Sequence, residues 1–422
     1  MPAPLAVIVL AAGLGKRTKV SIPKVLLPLC GRTLLGTVLD TVAELAPART
    51  VVVVHHQKEK VEKSLAGRDG LTLVDQGQPK GTGHAVQVAW EQLRGFQGDV
   101  LIVYGDCPLV TADTLRQLRE VRGGAAAALL TALVDDPRGL GRIVRDAGGR
   151  LLGIREERDC NAEELGIDEI NAGFYCFTAD RLGPALAGLR SDNAQKEYYL
   201  TDAIGALLQQ GQGVVTHTVD DAEEVLGINS LRELATARAV MQERIQLQHL
   251  AEGVLIEDPV TTYIEWGVRI GRDTRILPCT VLRAGVVIGE GCEVGPFAHL
   301  RDRTRLEDGA EIGNFVEVKK STVGAGTKAK HLTYLGDAHI GKKANIGAGT
   351  ITANYDGKHK HETRIEDGAF IGSGTVLVAP CTVGANAMTG AGAIVKRASV
   401  VPAGEIWVGV PARPITKRRD PR

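Results

Sequence analysis

The sequence predicts two architectures in one chain: a mostly parallel α/β sheet in the first half and a triangular parallel β-helix in the second. Short β-branched runs alternate with helical patterns up to about residue 228, the signature of a doubly wound sheet. From Ile264 to Val318 an aliphatic residue then recurs every six positions. Composition agrees, because aromatic residues make up only 4% of the 422 and glycines number 51, as in repeat architectures built from small-residue turns and aliphatic ladders.

The elements follow in order. LAVIVLAAG opens the chain as a strand, being apolar but without the basic leader of a signal peptide. VLLPLCGRTLLGTVLDTVAEL reads as a helix, TVVVVHH as a strand, HAVQVAWEQL as a helix and DVLIVYGD as a strand. Ligands of such sheets bind at the carboxyl ends of strands, so chemistry is expected in the loops that follow them. At Asn229-Ser230 the texture changes, and Ser230 with Glu233 has capping-box spacing, so a helix should start there and run to about His249. The expected domains are 1–228, a linker helix over 229–252, and 253–422.

In the second half the ladder runs Ile264, Ile270, Ile276, Leu282, Ile288, Val294, Leu300, Leu306, Ile312, Val318 without a slip. Three hexapeptides to a turn make 18 residues per turn, with each rung hydrogen-bonded to the next at about 4.8 Å. Arg301 and Lys319 are 18 apart and should stack. Two like charges one rung apart point to an anion between or beside them, a phosphate above all, with a solvated surface column as the alternative. Ser373 and Ala391 share the same spacing and should stack too. The phase fails at Gly324 and Lys330 and resumes at Ile365, Ile371, Leu377 and Val383. K-A-K-H-L-T-Y-L-G-D (328–337) lies in the break, so His331 and Tyr334 should project from it, between Lys319 and the N-Y-D-G loop at 354–357. A lone histidine is more often structural, but beside an anion site His331 is a candidate general base.

Three loops of the first half carry chemistry. L-A-A-G-L-G-K-R-T-K-V-S-I-P-K (10–24) follows the first strand; its glycines let backbone amides approach a phosphate, and Lys16, Arg17 and Lys24 add positive charge. It is neither a Walker loop nor a three-glycine dinucleotide fingerprint. Q-G-Q-P-K-G-T-G-H (76–84) offers amide side chains and exposed backbone suited to a nucleobase edge, or a tight turn feeding a helix. Y-G-D-C-P-L puts Asp106 at a strand end, where a hard carboxylate can hold Mg²⁺ against phosphate oxygens. Asn229 is either a second oxygen ligand or a cap of the linker helix.

The 50 basic and 50 acidic side chains cancel, so no global field argues for nucleic acid or a membrane as partner. No apolar run approaches the ~20 residues that span a bilayer. The seven cysteines lie singly, with no C-x-x-C pair, as reduced thiols do. A soluble cytoplasmic protein is expected.

Taken together, the motifs resemble the bifunctional GlmU enzymes, which join an N-acetylglucosamine-1-phosphate uridylyltransferase to a glucosamine-1-phosphate N-acetyltransferase. L-A-A-G-x-G-x-R with P-K-V-L, Q-x-x-x-x-G-T-G-H-A, Y-G-D-x-P-L, E-I-N-A-G and N-A-Q-K-E-Y-Y-L-T-D match the first activity. G-N-F-V-E-V-K-K, H-L-T-Y-L-G-D, N-I-G-A-G-T and N-Y-D-G match the second. The resemblance covers nearly the whole chain. It implies a Rossmann-like nucleotidylyltransferase domain joined by a long helix to a left-handed β-helix of hexapeptide repeats, in a homotrimer with acetyltransfer sites between neighbouring prisms. It also implies Mg²⁺ as cofactor, UTP and acetyl-CoA as substrates, and UDP-N-acetylglucosamine for peptidoglycan and lipopolysaccharide synthesis as product. By the same resemblance, Leu10, Ala11, Gly13, Gln76, Gly81 and Thr82 contact UTP, with Arg17 and Lys24 on its phosphates. Asp106 and Asn229 hold the metal, and Tyr104, Gly141, Glu156, Asn171 and Asn229 hold N-acetylglucosamine-1-phosphate. His331 is the implied base; Arg301, Lys319, Tyr334, Asn345 and Lys360 bind glucosamine-1-phosphate. Ala348, Asn354, Tyr355, Ser373 and Ala391 line the acetyl-CoA side.

Three departures stand out. The nucleotide loop reads G-L-G-K-R-T where the family has G-x-G-T-R-M. The β-helix has fewer repeats ahead of its active region. The C-terminus reads W-V-G-V-P-A-R-P (407–414), with Gly409 where an arginine is expected, which leaves Arg413 or the Lys417-Arg418-Arg419 run for the CoA phosphates. The alternative reading is a broader sugar-1-phosphate nucleotidylyltransferase, using UTP or dTTP, with a structural or altered β-helix.

Overall fold

The structure is a computed structural model that describes residues 3–13, 15–193 and 195–415. The chain divides into two compact units, Met1–Val240 and Met241–Arg422.

In the first unit the β-branched runs become strands β1 (Leu5–Leu10), β2 (Arg49–Val54), β3 (Leu71–Asp75) and β4 (Asp99–Tyr104). Strand β1 pairs in parallel with both β2 and β4. Helices α1 (Leu34–Ala43), α2 (Lys58–Leu65), α3 (Thr82–Trp90) and α4 (Ala112–Arg122) make the crossovers. Strands β5 (Ala127–Leu133), β6 (Arg142–Arg145), β7 (Leu151–Arg155), β8 (Glu169–Thr178) and β9 (Val214–Thr218) complete a nine-stranded sheet of order β9-β5-β8-β4-β1-β2-β3, with β6 and β7 as a hairpin beside β8. Helices α5 (Ala179–Ala187) and α6 (Thr201–Gln209) lie between β8 and β9 in the chain. The sheet is mixed, because β8 runs antiparallel to β4 and β5.

Alternate residues of β1 face opposite sides. Ala6 and Ile8 pack in a cluster with Ala85 and Leu182, while Val7 and Val9 pack with Leu35 and Leu118. Burial on both faces is why these strands read as continuous apolar runs. The parallel register aligns the ends of β1 and β4, where Gly105 N–H donates to Leu10 O at 2.9 Å, and the N–H of Gln76 donates to Val54 O at 2.8 Å. The three candidate loops therefore leave the sheet at one edge.

Helix α7 (Leu231–Ala251) begins with the reciprocal cap that its spacing predicts. Glu233 N–H donates to Ser230 Oγ at 3.3 Å, and the Glu233 carboxylate accepts from the N–H groups of Asn229 and Ser230, each at 2.6 Å. Further along, Gln242 exchanges two hydrogen bonds with the Ile264 main chain, at 2.7 and 2.8 Å. These satisfy edge groups of the first coil turn that no earlier rung can reach.

The second unit is a parallel coil with three faces. The first starts at Leu255–Ile256, the second at Tyr263–Ile264 and the third at Arg269–Ile270, and each rung pairs in parallel with the rung above it, as Ile264 does with Leu282 and Leu282 with Leu300. Inward residues such as Ile276, Leu282, Leu300 and Val318 have no exposed surface. At the corners, buried threonines take up main-chain groups: Thr327 Oγ1 donates to Gly341 O at 2.6 Å and accepts from Ala344 N–H at 3.0 Å.

The break in the ladder is a change of turn length. At the corner between the second and third faces, inward Val318 is followed by Val323, and Leu335 by Ile340, five positions on instead of six. Lys320 and Asp337 turn these corners at φ 47 and 48. Both turns are thus shortened by a single position, which pairs Asn314 with His331, Glu317 with Tyr334 and Lys319 with Gly336. Gly324 and Lys330 fall beside the inward row, and the coil itself continues. The next turn is lengthened instead, since Ile340 pairs with Ile365. Its excess is the loop that carries the N-Y-D-G motif.

Candidate active sites

At the strand ends of the first unit lies a cavity of about 610 Å³, lined by Arg17, Thr82, Tyr104, Asp106, Gly141, Glu156, Asn171 and Asn229, among others. Expected residues from widely separated stretches of sequence thus converge. Leu10, at the end of β1, and Ala11, Gly13, Lys24, Gln76 and Gly81, on the adjoining loops, do not line it. Gln76 is buried and its amide donates to Gly81 O at 3.0 Å, so it closes its own loop. Gly81 is fixed there by φ +105, and a Cβ at this position would lie 2.5 Å from Tyr198 O.

The cationic loop meets the acidic one at Lys24. Its buried ammonium is ion-paired with Asp106 and hydrogen-bonded to Asn229 Oδ1 at 3.0 Å. Ser230 supplies the helix cap, which leaves the Asn229 carbonyl for this contact. Two oxygens from distant segments of the chain therefore converge on one cation. Among the described residues no cluster of three or more His, Cys, Asp or Glu forms a metal site. A carboxylate and an amide oxygen suit a hard divalent ion that takes its remaining ligands from water and phosphate.

Deeper in, the Asn171 amide donates to Tyr175 Oη at 2.7 Å and accepts from Gly173 N–H at 3.2 Å. The Glu156 carboxylate accepts from Thr201 Oγ1 at 3.2 Å, and burial raises its pKa. The Tyr104 hydroxyl is raised well above its ordinary value by burial. Cys107, absent from the expected set, also lines the cavity, and burial pushes its thiol well up, so it is an inert wall. No disulfide joins any of the seven cysteines.

In the second unit, Arg301 and Lys319 occupy one corner column: Arg301 N–H donates to Val318 O at 2.8 Å. The N-Y-D-G loop brings Lys360 against Lys319, and this contact is the largest cause of a lowered Lys319 pKa, followed by desolvation and Arg301. Three cations thus converge on one exposed spot. Glu317, which the sequence reading missed, holds the Arg301 guanidinium at 2.7 Å and raises its pKa. Tyr334 and Asn354 complete this side. Gly336 makes room for them, because a Cβ there would lie 2.4 Å from Tyr334 Oη and 2.7 Å from Asn354 Nδ2. Asn354 is buried and its amide donates to Asp337 Oδ2.

His331 ends a first-face strand, Lys328–His331. It pairs with Asn314 below, and two positions on from the Ala329–Ile346 pair the same corner column reaches Ala348 and leads on to Ser373 and Ala391. Gly374 N–H donates to Ala348 O at 2.7 Å and Gly392 N–H to Ser373 O at 2.8 Å. The exposed imidazole thus stands at the foot of a column of small side chains, which leaves an open track above it. Tyr355, 61% exposed, donates to Gly357 O at 2.7 Å. Asn345 is set apart: it lies on the first face, between Lys328 and Phe370, whereas Tyr334 stands on the second and Arg301 and Lys319 at its corner. At the C-terminus Trp407 pairs with Pro414 and Arg413 is exposed. Lys417, Arg418, Arg419 and the side chain of Lys16 lie outside the described residues.

Residues 7–204 match the MobA-like NTP transferase domain family. Residues 267–302, 285–320 and 362–397 match the bacterial transferase hexapeptide (six repeats) family. The protein named Bifunctional protein GlmU from Trichlorobacter lovleyi is 44% identical over 428 residues, covering 93% of each chain. The protein of the same name from Heliobacterium modesticaldum is 43% identical over 95% of this chain and 94% of its own. That from a Synechococcus species is 42% identical over 98% and 97%.

Proposed function

The chain belongs to the bifunctional GlmU family, and from that premise we propose that its two units make UDP-N-acetylglucosamine in two steps. The second unit transfers the acetyl group of acetyl-CoA to glucosamine-1-phosphate. The first joins the resulting N-acetylglucosamine-1-phosphate to UTP and releases pyrophosphate, which serves cell wall synthesis. The observation that carries this reading is that each unit gathers cations suited to a phosphate, Lys24 and Arg17 with Asp106 in one and Arg301, Lys319 and Lys360 in the other.

For acetyl transfer, Arg301, Lys319 and Lys360 hold the sugar phosphate, with Tyr334 beside them. His331 takes a proton as the amine nitrogen attacks the thioester carbonyl; the N–C bond forms, the C–S bond breaks and the CoA thiol leaves. Much of the advantage comes from fixing amine and thioester together. Asn354, Tyr355, Ala348, Ser373 and Ala391 line the thioester's path. Asn345, on another face of the coil, reaches such a site from a neighbouring copy, so the enzyme works as a trimer with sites between prisms.

For uridylyl transfer, Gly13, Gln76, Gly81 and Thr82, with Leu10 and Ala11 beneath them, receive the uridine, and Tyr104, Gly141, Glu156 and Asn171 the N-acetylglucosamine. Asp106 and Asn229 would hold Mg²⁺, which would offset negative charge on the phosphates; that both oxygens already share a cation supports the fit. Lys24 then exchanges Asp106 for the nucleotide phosphates, which Arg17 also faces. A sugar-phosphate oxygen attacks the α-phosphorus in line as the bond to the β-phosphate breaks. No helix of the described residues is long and apolar enough to cross a membrane, in keeping with a cytoplasmic enzyme on small-molecule substrates.

The test is pyrophosphate release from UTP and N-acetylglucosamine-1-phosphate, with dTTP and other sugar-1-phosphates as competitors. Asp106→Asn should abolish it while leaving acetyl transfer intact. Equal turnover of dTTP would replace this reading with a broader nucleotidylyltransferase.

A further inference from the structure

The extra residues of the long coil turn form a small hairpin, in which Tyr355 and Lys360 pair across an antiparallel bridge and His361 N–H donates to Asn354 O at 2.8 Å. This hairpin carries Lys360 to Lys319. Two ammonium groups in contact repel one another. Among the described residues neither has a carboxylate within ion-pair distance. Some other contact must therefore hold Lys360 in place before a phosphate arrives.

Two side chains of the hairpin, Asp356 and His361, and one of the coil, Arg397, provide it. Asp356 Oδ1 accepts from the N–H groups of Lys358 and His359, at 2.9 and 2.8 Å, which closes the tip. Asp356 Oδ2 lies 2.7 Å from His361 Nε2 and 3.3 Å from Arg397 Nη1, and Arg397 Nη2 lies 3.0 Å from the same imidazole nitrogen. Arg397 belongs to a later coil turn, between the strands Ile394–Val395 and Val400–Val401. The hairpin is thus tied to a later turn of the coil. The Asp356 carboxyl is held far below the usual carboxylate range, first by the His359 N–H and then by His361 and Lys358.

We propose that Asp356, His361 and Arg397 form a brace that positions Lys360 for the sugar phosphate, which makes all three positioning residues for acetyl transfer. This rests on the acetyltransferase reading of the second unit. The brace acts on one substrate. Asn354 is held by Asp337, outside the hairpin, so the thioester side keeps that support when the brace is cut.

The experiment measures acetyl transfer by the full chain and by Arg397→Ala, Arg397→Lys and His361→Phe, with each substrate varied in turn and thermal unfolding in parallel. Loss of a well-placed cation on a phosphate costs about tenfold in affinity. Arg397→Ala should therefore raise KM for glucosamine-1-phosphate about tenfold, with kcat and KM for acetyl-CoA within about twofold, and Arg397→Lys should recover most of the loss. His361→Phe should shift the same KM in the same direction, and it serves as the test if Arg397→Ala does not fold. An unchanged KM for the sugar phosphate, or equal losses on both substrates, would overturn the brace. Wild-type protein showing no turnover dependent on glucosamine-1-phosphate would overturn the acetyltransferase reading itself, and the role of Lys360 with it.

Discussion

Gly336→Ala isolates the acetyl-transfer geometry with the smallest possible change. The new Cβ would lie 2.4 Å from Tyr334 Oη and 2.7 Å from Asn354 Nδ2, where ordinary contact begins at 3.4 Å. The tyrosine tip must therefore retreat by about 1 Å, and Asn354, tied to Asp337, has little room to follow. Displacements of that size at a reacting centre cost about 100-fold in rate. Overpacking costs about 1–3 kcal/mol of stability, which a long parallel coil should survive. Steady-state thiol release should show kcat reduced about 100-fold, with uridylyl transfer unchanged because that cavity belongs to the other unit. Wild-type kcat in a folded Gly336→Ala protein would refute the placement of Tyr334 and Asn354 at the reacting centre.

Three further outcomes follow. Gly81→Ala places a Cβ 2.5 Å from the rigid Tyr198 carbonyl at φ +105; pyrophosphate release should fall at least ~100-fold and thiol release should not change. Chelating divalent cations with EDTA should stop uridylyl transfer alone; loss of both activities, or of neither, would contradict a metal confined to Asp106 and Asn229. Because Lys360 is the leading cause of the lowered Lys319 pKa, the wild-type clamp loses its charge at a lower pH than an ordinary lysine would. Calorimetric titration of glucosamine-1-phosphate from about pH 8 to 11 should show affinity falling earlier in wild type than in Lys360→Ala, although the variant binds more weakly at pH 8. Coincident falls would contradict the coupling.

Much of the second unit was legible because a coil repeats its own geometry. A residue and its partner one turn on are separated by a fixed number of positions, so the columns of Arg301 with Lys319 and of Ser373 with Ala391 could be counted. The capping box of Ser230 and Glu233 was equally readable, being a local bond between residues three apart. Counting failed where turn length changed. Five-residue steps at Val318–Val323 and Leu335–Ile340 imitate a loss of structure, and only the paired rungs show that the coil continues, with His331 above Asn314 and Ala329 under Ile346. Contacts that join distant segments left no periodic trace. Lys24 sits between Asp106 and Asn229 through the parallel register of β1 and β4 and the start of α7. Arg397 reaches Asp356 across a turn lengthened by insertion. Nothing in the spacing marks Glu317, whose ion pair with Arg301 only the structure shows. The antiparallel β8 escaped for a related reason, since strand direction depends on the path of the connection and not on the residues of the strand.

The most direct measurement is free-thiol release from acetyl-CoA by the full chain with glucosamine-1-phosphate and no UTP, beside His331→Ala. The account predicts release that requires the sugar phosphate and falls by at least ~100-fold in the variant, with its uridylyl transfer intact. No release from folded trimeric wild-type protein, or release indifferent to His331, would contradict a second active site in the coil.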